Sequence, residues 1–271
     1  METCSGTSGK SSFVNSLESD LFDLNPTKEF VILNFNFEML SSRQVGRKLS
    51  AKLNMTTSEL YSGTTKTKIN ETKFQSITDT AKRIAKYPIY YVDTPGTVQE
   101  IRETIKTFCN TVGKNKWVII ILDHTLLTKG QSGDSERTIL SQLQYMFMEM
   151  KKINMNTIIQ LSQMNRDIES SDRISNNLLH FPMRKDIFGG ESVFQASDYV
   201  IILHRPELLK IEKYGPDFWS TPNVIYMHFL KNREGELGII KFQNNLKFNK
   251  IEEILDKTSN PSKIDQDTSL F

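Results

Sequence analysis

The chain has 271 residues, of which 38% are hydrophobic and 24% are charged, and its formal net charge is +2. This composition is typical of a soluble globular protein with one large core or two small ones, and it excludes a uniformly basic nucleic-acid-binding surface. The two cysteines, Cys4 and Cys109, lack metal-ligand spacing. Because no apolar run resembles a membrane span or a signal peptide, we expect a cytoplasmic protein.

The first segment of interest, residues 4–12, has the composition of a loop that binds the phosphates of a nucleoside triphosphate. Its glycines would let backbone N–H groups point at phosphate oxygens, and the helix that follows would add its positive end. Lys10 would reach the β- and γ-phosphates, and the Ser11 hydroxyl would bind Mg²⁺. The alternative is an ordinary Ser/Gly/Thr loop. The predicted nucleotide-binding residues are Ser5, Gly6, Thr7, Ser8, Gly9, Lys10, Ser11 and Ser12.

This phosphate loop departs from the full signature in two ways. Cys4 stands where the first glycine is expected, and only three residues precede the loop, where a buried strand is expected. The sequence therefore indicates either that the chain begins late or that the first strand is missing.

The next elements are a helix from Ser11 to about Asp20 and a strand over residues 29–37, which is first continuously apolar and then alternating. Glu38 follows this strand. A lone glutamate at a strand end is usually a helix cap or a solvated charge, but its place after the phosphate helix makes it a candidate general base. Ser41 or Ser42 begins a helix to about Leu53, which carries Arg47.

Two further βα patterns follow the polar segment 54–86. The first has a strand over residues 87–92 and a helix from the capping box Thr97–Glu100 to about Asn110. The second begins with five consecutive apolar residues within 117–123, which predict a strand buried on both faces. Asp123 ends this strand and is either a turn residue or the acid of a magnesium site, because ligands gather at the carboxyl ends of parallel strands.

The second half of the chain is less regular. A helix from Asp134 or Ser135 to Lys152 and a strand over 157–162 lead to Gln163, which could contact a γ-phosphate or be an amide satisfied by its neighbours. The irregular segment 167–190 is long enough to indicate function or disorder. The remaining patterns predict a strand over 196–205 and a hairpin of strands 223–231 and 238–242.

Five motifs in this order resemble the C-terminal motor domain of DnaB-type replicative helicases, which belong to the RecA-like ATPase superfamily. The likeness spans about residues 4–250, and residues 161–166 are its most distinctive part. The motifs are the phosphate loop, Phe-Asn-Phe-Glu-Met (35–39), Ile-Ile-Leu-Asp-His (120–124), Leu-Ser-Gln-Met-Asn-Arg (161–166) and Lys-Asn-Arg-Glu-Gly (231–235).

The resemblance implies an α/β fold of the RecA-like P-loop NTPase type. A mostly parallel sheet would be flanked by helices and followed by a C-terminal antiparallel hairpin. The motor domain would cover residues 1–255. Independently of the resemblance, the polar composition of residues 256–271 predicts a flexible tail.

The resemblance also implies roles for individual residues. Lys10 and Ser11 would bind ATP and Mg²⁺, and Asp123 would complete the metal site. Glu38 would activate water and Gln163 would sense the γ-phosphate. Lys231 and Arg233 would enter the site of a neighbouring subunit, although without the resemblance they could be a solvated hairpin end. The implied DNA-binding residues are Lys129, Arg173, Arg184 and Lys185.

The function implied by the resemblance is an ATP-dependent DNA helicase that moves 5′ to 3′ along single-stranded DNA as a homo-oligomeric ring of six copies. A primase or a helicase loader would be a further partner. The alternatives are a truncated, non-hydrolysing ring-assembly or DNA-binding protein, and a recombinase-type RecA relative. The latter is disfavoured by the hairpin motif and by the end of the strand at 161–166.

Overall fold

A computed structural model describes residues 9–61, 69–130, 134–153, 156–176 and 180–255. In these ranges the strands form a parallel sheet of order β2-β1-β3-β4, an antiparallel sheet of order β10-β9-β8-β5, and a short pair, β6 with β7. The strands are β1 Phe30–Asn36, β2 Ile89–Val92, β3 Trp117–Asp123, β4 Asn156–Gln160, β5 Tyr199–His204, β6 Lys213–Tyr214, β7 Trp219–Ser220, β8 Val224–Asn232, β9 Ile239–Asn245 and β10 Lys250–Glu253.

Helices flank both sheets, and several short 3-10 turns join the elements. One of these turns, at Arg184–Asp186, lies in the irregular segment 167–190. The α-helices are α1 Lys10–Leu24, α2 Ser41–Leu53, α3 Thr57–Tyr61, α4 Glu71–Ile84, α5 Val98–Asn110, α6 Glu136–Met150, α7 Ser171–Ile174 and α8 Gly190–Ala196.

The parallel sheet holds the main core. Every residue of β1 is buried, and so is every residue of β3 after Trp117. Successive side chains point to opposite faces, so that Leu33 packs with residues of α5 and α6, whereas Ile32 packs with residues of α1. A strand covered on both faces must be apolar throughout, which explains the continuous runs of β1 and β3.

Helix α1 contacts both sheets. Its Phe13 packs against the apolar cluster around Ile121 of the parallel sheet and against the cluster around Leu203 and Met227 of the antiparallel sheet. The amino-terminal end of α1 is thus fixed by two separate cores. Within the described residues no strand precedes α1.

Most predicted elements are present, with one clear correction. The strand predicted from Ala196 begins at Tyr199, because α8 runs through Ala196 and ends where the Ser197 N–H and hydroxyl both donate to the Val193 carbonyl oxygen. Helix α1 also runs to Leu24, beyond its predicted end. The predicted tail lies outside the described residues. None of the described helices combines the length and the apolar character that crossing a bilayer requires.

Candidate nucleotide-binding site

The candidate site lies where β1 and β3 end. These strands are parallel neighbours and pair Asn36 with Asp123, so the residues that follow β1 lie at the same sheet edge as Asp123. The backbone N–H of Phe37 donates to the Asp123 carbonyl oxygen at 2.7 Å. This bond holds the segment that carries Glu38 against the end of β3.

Helix α1 begins beside this edge. Gly9 precedes the helix with a φ of +93°, in the left-handed region that glycine adopts without strain. The Ser11 hydroxyl donates to Asp123 Oδ2 at 3.3 Å. The positive end of α1 therefore lies beside an acidic strand end, and backbone N–H groups and a hydroxyl are present where an anion with its Mg²⁺ would bind. Ser5, Gly6, Thr7 and Ser8 lie outside the described residues.

The ammonium group of Lys10 is influenced by the charges of both acids. Burial lowers the pKa of its ammonium group, and the charges of Asp123 and Glu38 oppose this effect. Such Coulomb effects require that the charges lie near one another. The structure thus brings together Lys10, Ser11, Glu38 and Asp123, four of the residues that the sequence predicts to share one site.

Burial and the charge of Glu38 both disfavour the ionised form of Asp123. Burial raises the pKa of Asp123 to about 6, and the charge of Glu38 acts in the same direction, whereas Ser11, Lys10 and Arg47 act in the opposite direction. A divalent cation would favour the ionised form of Asp123. The hydroxyl of Ser11 and the carboxylate of Asp123 are the oxygen ligands that Mg²⁺ prefers.

The described residues contain no group of three or more His, Cys, Asp or Glu side chains that could enclose a metal ion. Mg²⁺ beside nucleotides is held by one or two protein ligands together with phosphates and water, and Ser11 and Asp123 are suited to be these ligands. The site residues therefore fit a metal that arrives with a triphosphate.

Two residues of the site were not assigned a role from the sequence. Burial lowers the pKa of Arg47 on α2, and the charges of Asp123 and Glu38 oppose this effect, so its guanidinium group lies near both acids. His124 follows Asp123 and has a lowered pKa because it is buried. The signal that could have found Arg47 is that α2 begins three residues after Glu38 and so projects from the same sheet edge.

Gln163 lies at the same edge, beyond the end of β4. The N–H of Leu161 donates to the Leu122 carbonyl oxygen, which keeps this segment beside β3. The Gln163 carbonyl oxygen accepts from the N–H of Phe188, and its side chain is half-buried. Gln163 thus follows β4 at the sheet edge where Asp123 ends β3. Its contact with a γ-phosphate stays a prediction.

Lys231 and Arg233 lie in a different charged group. The Lys231 ammonium donates to the Phe194 carbonyl oxygen at 2.7 Å, and Arg233 pairs with Asp198 at 2.7 Å. Burial lowers the pKa of Lys231, and the nearby cation Arg233 contributes in the same direction. Both cations thus have their contacts in a group formed by Asp198 and the C-terminal part of α8.

The four predicted DNA-binding residues differ in their surroundings. Lys129 and Lys185 are exposed. Arg173 forms an ion pair at 2.5 Å with Asp186, and Asp186 is completely buried. The guanidinium group of Arg173 therefore stabilises the irregular segment 167–190. Arg184 pairs with Glu191 and lies over the ring of Phe194. Lys129, Arg184 and Lys185 are thus exposed, whereas Arg173 is held in a buried ion pair, and DNA binding by all four stays a prediction.

The fold is of the RecA-like P-loop NTPase type. One solved structure of an ATPase domain is similar with a TM-score of 0.75 and 17% identity, covering 93% of this chain and 82% of that one. A structure of a DnaB-like replicative helicase and its interactions with primase also has a TM-score of 0.75 and 17% identity, with coverages of 91% and 55%.

The family assignment follows from the sequence comparison. The family model described as DnaB-like helicase C terminal domain matches residues 3–253, and the chain belongs to this family. The replicative DNA helicase DnaB of Mycobacterium leprae (strain TN) is 26% identical over 175 residues, which are 64% of this chain. The match spans 27% of the length of that relative.

Proposed function

We propose that this chain is the ATP-hydrolysing motor of a replicative DNA helicase. The observation that supports this most strongly is the joint position of Glu38, Asp123, Lys10 and Ser11 at one sheet edge, where the two acids and the ammonium group influence one another. Phosphoryl transfer depends on positioning and on charge stabilisation, and these residues offer both.

Each residue has a specific task in this proposal. Lys10 binds the β- and γ-phosphates, and the N–H groups at the start of α1 hold phosphate oxygens. Ser11 and Asp123 hold Mg²⁺, which neutralises phosphate charge. Glu38 orients and deprotonates the attacking water, and Gln163 contacts the γ-phosphate.

The proposal extends to an assembly. Six copies form a ring, and Lys231 and Arg233 of one copy supply positive charge to the site of the next, which would link hydrolysis to subunit movement. Lys129 and Lys185 contact the phosphates of single-stranded DNA, along which the ring moves 5′ to 3′ and unwinds duplex. A primase or a helicase loader is the proposed protein partner, since one similar structure includes interactions with primase.

The experiment that tests hydrolysis compares Glu38→Gln with the wild-type chain. We expect DNA-stimulated ATP hydrolysis to fall by at least about 100-fold, because the amide cannot accept the proton of the attacking water. Glu29→Gln is the matched control: Glu29 lies at the other end of β1 and is exposed, so its loss should leave hydrolysis unchanged. Equal rates for Glu38→Gln and the wild type would refute the role of Glu38.

Calorimetric titration with Mg²⁺ and ATP, together with the hydrolysis assay, distinguishes the helicase motor from a protein that does not hydrolyse ATP. Binding without hydrolysis, or no binding at all, would favour a non-hydrolysing ring-assembly or DNA-binding protein.

A further inference from the structure

A chain of hydrogen bonds runs through the interior from α1 to the segment that carries Glu38. Asn15 Nδ2 donates to the Ser11 carbonyl oxygen at 2.9 Å and also to Gln44 Oε1 of α2. Gln44 Nε2 donates to Asn36 Oδ1 at 3.0 Å. Asn36 Nδ2 donates to the carbonyl oxygen of Met39. This relay therefore connects Ser11 of the candidate metal site with the residue after Glu38.

The side chains of this relay are removed from water. Asn36 is 0% exposed, and Asn15 and Gln44 are each 2% exposed. A buried amide that loses its partner cannot replace it with solvent, so each bond in the relay constrains the next. The relay thus fixes the distance between α1 and the end of β1.

Glu38 is held on both sides by this arrangement. Before it, the Phe37 N–H donates to the Asp123 carbonyl oxygen at 2.7 Å, and after it the Met39 carbonyl oxygen accepts from Asn36. The first bond sets the position of the segment relative to β3. The second sets its position relative to the helix that begins at the phosphate loop.

We propose that Asn36 is a positioning residue for ATP hydrolysis, which holds Glu38 at the correct place relative to the phosphate-binding end of α1. This inference rests on the hydrolytic function proposed above. A catalytic base must lie within hydrogen-bond reach of its water, and a displacement of about 1 Å can lower the rate by about 100-fold. Asn36 is 0% exposed, so it would supply that precision through its hydrogen bonds to Met39 and Gln44.

The same network contains a matched control. Asn34 lies on the same strand and the same face as Asn36 and is 1% exposed. Its Nδ2 donates to Glu18 Oε1 at 2.7 Å, in a branch where Lys48 pairs with Glu18 and donates to Asn15 Oδ1. Asn34 therefore shares the network and the burial, but its amide is directed to Glu18 of α1 and not to the Glu38 segment.

The experiment compares Asn36→Leu with Asn34→Leu in the full chain. Leucine has nearly the shape of asparagine and removes only the amide hydrogen bonds. We measure the thermal midpoint, the affinity for a fluorescent ATP analogue, and kcat for ATP with single-stranded DNA. Both variants should lower the midpoint to a similar extent. Asn36→Leu should lower kcat by about 10- to 100-fold with affinity within about two-fold, whereas Asn34→Leu should keep kcat within about two-fold.

A second variant tests the same role in case Asn36→Leu does not fold. Gln44→Met breaks the relay from the helical side, and we expect the same loss of kcat at unchanged affinity. The positioning role is overturned if Asn36→Leu and Asn34→Leu have equal kcat. It is also overturned if Gln44→Met and the wild type have equal kcat. If the wild type hydrolyses ATP and Glu38→Gln does not, such a result overturns the positioning role alone. If the wild type does not hydrolyse ATP, the proposed function and this inference fall together.

Discussion

Three of the four histidines lie in one buried cluster, in which His204 ends β5, His228 lies in the middle of β8 and His180 precedes β5. His204 Nε2 is 3.3 Å from His180 Nδ1, and His228 Nε2 is 2.9 Å from the Tyr214 hydroxyl. Burial lowers the pKa of His228 to about 4. Burial, with the neighbouring His180, His228 and Arg173 charges, holds the pKa of His204 well below 6.5. The folded chain therefore keeps these imidazoles neutral.

This cluster predicts a loss of stability in acid. Between pH 6.5 and about 4 the unfolded chain binds a proton at His228 that the folded chain does not, so the free energy of unfolding falls as the pH falls. The contribution of His228 approaches about 1.4 kcal/mol per pH unit. His228→Gln should lower the slope by this amount when urea unfolding is measured between pH 6 and 4.5.

Tyr214→Phe is the control for this prediction. It removes the hydroxyl that lies next to His228 but keeps the titrating ring, so the variant should be less stable at every pH with an unchanged slope. An equal slope for His228→Gln and the wild type would show that His228 does not cause the acid sensitivity.

At the scale of single elements, α5 begins with a complete capping box. The Thr97 hydroxyl accepts from the Glu100 N–H, and the Glu100 carboxylate accepts from the Thr97 N–H at 2.7 Å. We expect Thr97→Ala to lower the free energy of unfolding by about 1 kcal/mol. Thr107→Ala, at an exposed position of the same helix, should change it by less than about 0.5 kcal/mol. Chemical denaturation of both variants measures the difference, and equal values would contradict the capping role.

This capping box and β3 were both predictable from the sequence, because each is encoded within a few consecutive residues. The relay was not. Gln44 and Lys48 have the pattern of polar residues on a surface helix, yet they are 2% and 1% exposed. The partner that makes burial of Lys48 possible is Glu18, thirty residues earlier on another helix. Such long-range pairing leaves no local pattern in a single sequence.

The candidate site was also predictable only in part. Glu38 and Asp123 could be placed together because the carboxyl ends of neighbouring parallel strands share an edge. Arg47 was missed, since its approach to the two acids depends on the angle of α2, which is set by tertiary packing. At Ala196 the apolar pattern predicts the beginning of a strand, whereas the residue ends a short helix.

At the scale of the whole molecule, the cations proposed to act on a neighbouring copy belong to a different charged group from the candidate site. The candidate site contains Lys10, Glu38 and Asp123, and the other group contains Lys231, Arg233 and Asp198. A cation that acts on a neighbouring copy must lie away from the site of its own chain. This division into two groups is what the proposed ring requires.

The ring predicts complementation between two inactive variants. Glu38→Gln lacks the base and Arg233→Ala lacks the cation, so each should be inactive alone. In a mixture with equal amounts of both, a site formed by Glu38 of one copy and Arg233 of the next is intact. Random assembly would restore about a quarter of the sites. ATP hydrolysis by the mixture, measured after subunit exchange, should therefore exceed that of either variant.

The control tests whether Arg233→Ala is inactive only because it loses an ion pair within its own chain. Asp198→Asn removes the same ion pair that Arg233→Ala removes within one chain, but it leaves the cation in place, so it should keep hydrolysis within about two-fold. If Asp198→Asn is as inactive as Arg233→Ala, the arginine acts by stabilising its own chain. If the mixture stays inactive while mixed assemblies form, both residues serve the same copy, and the catalytic link between neighbouring copies is absent.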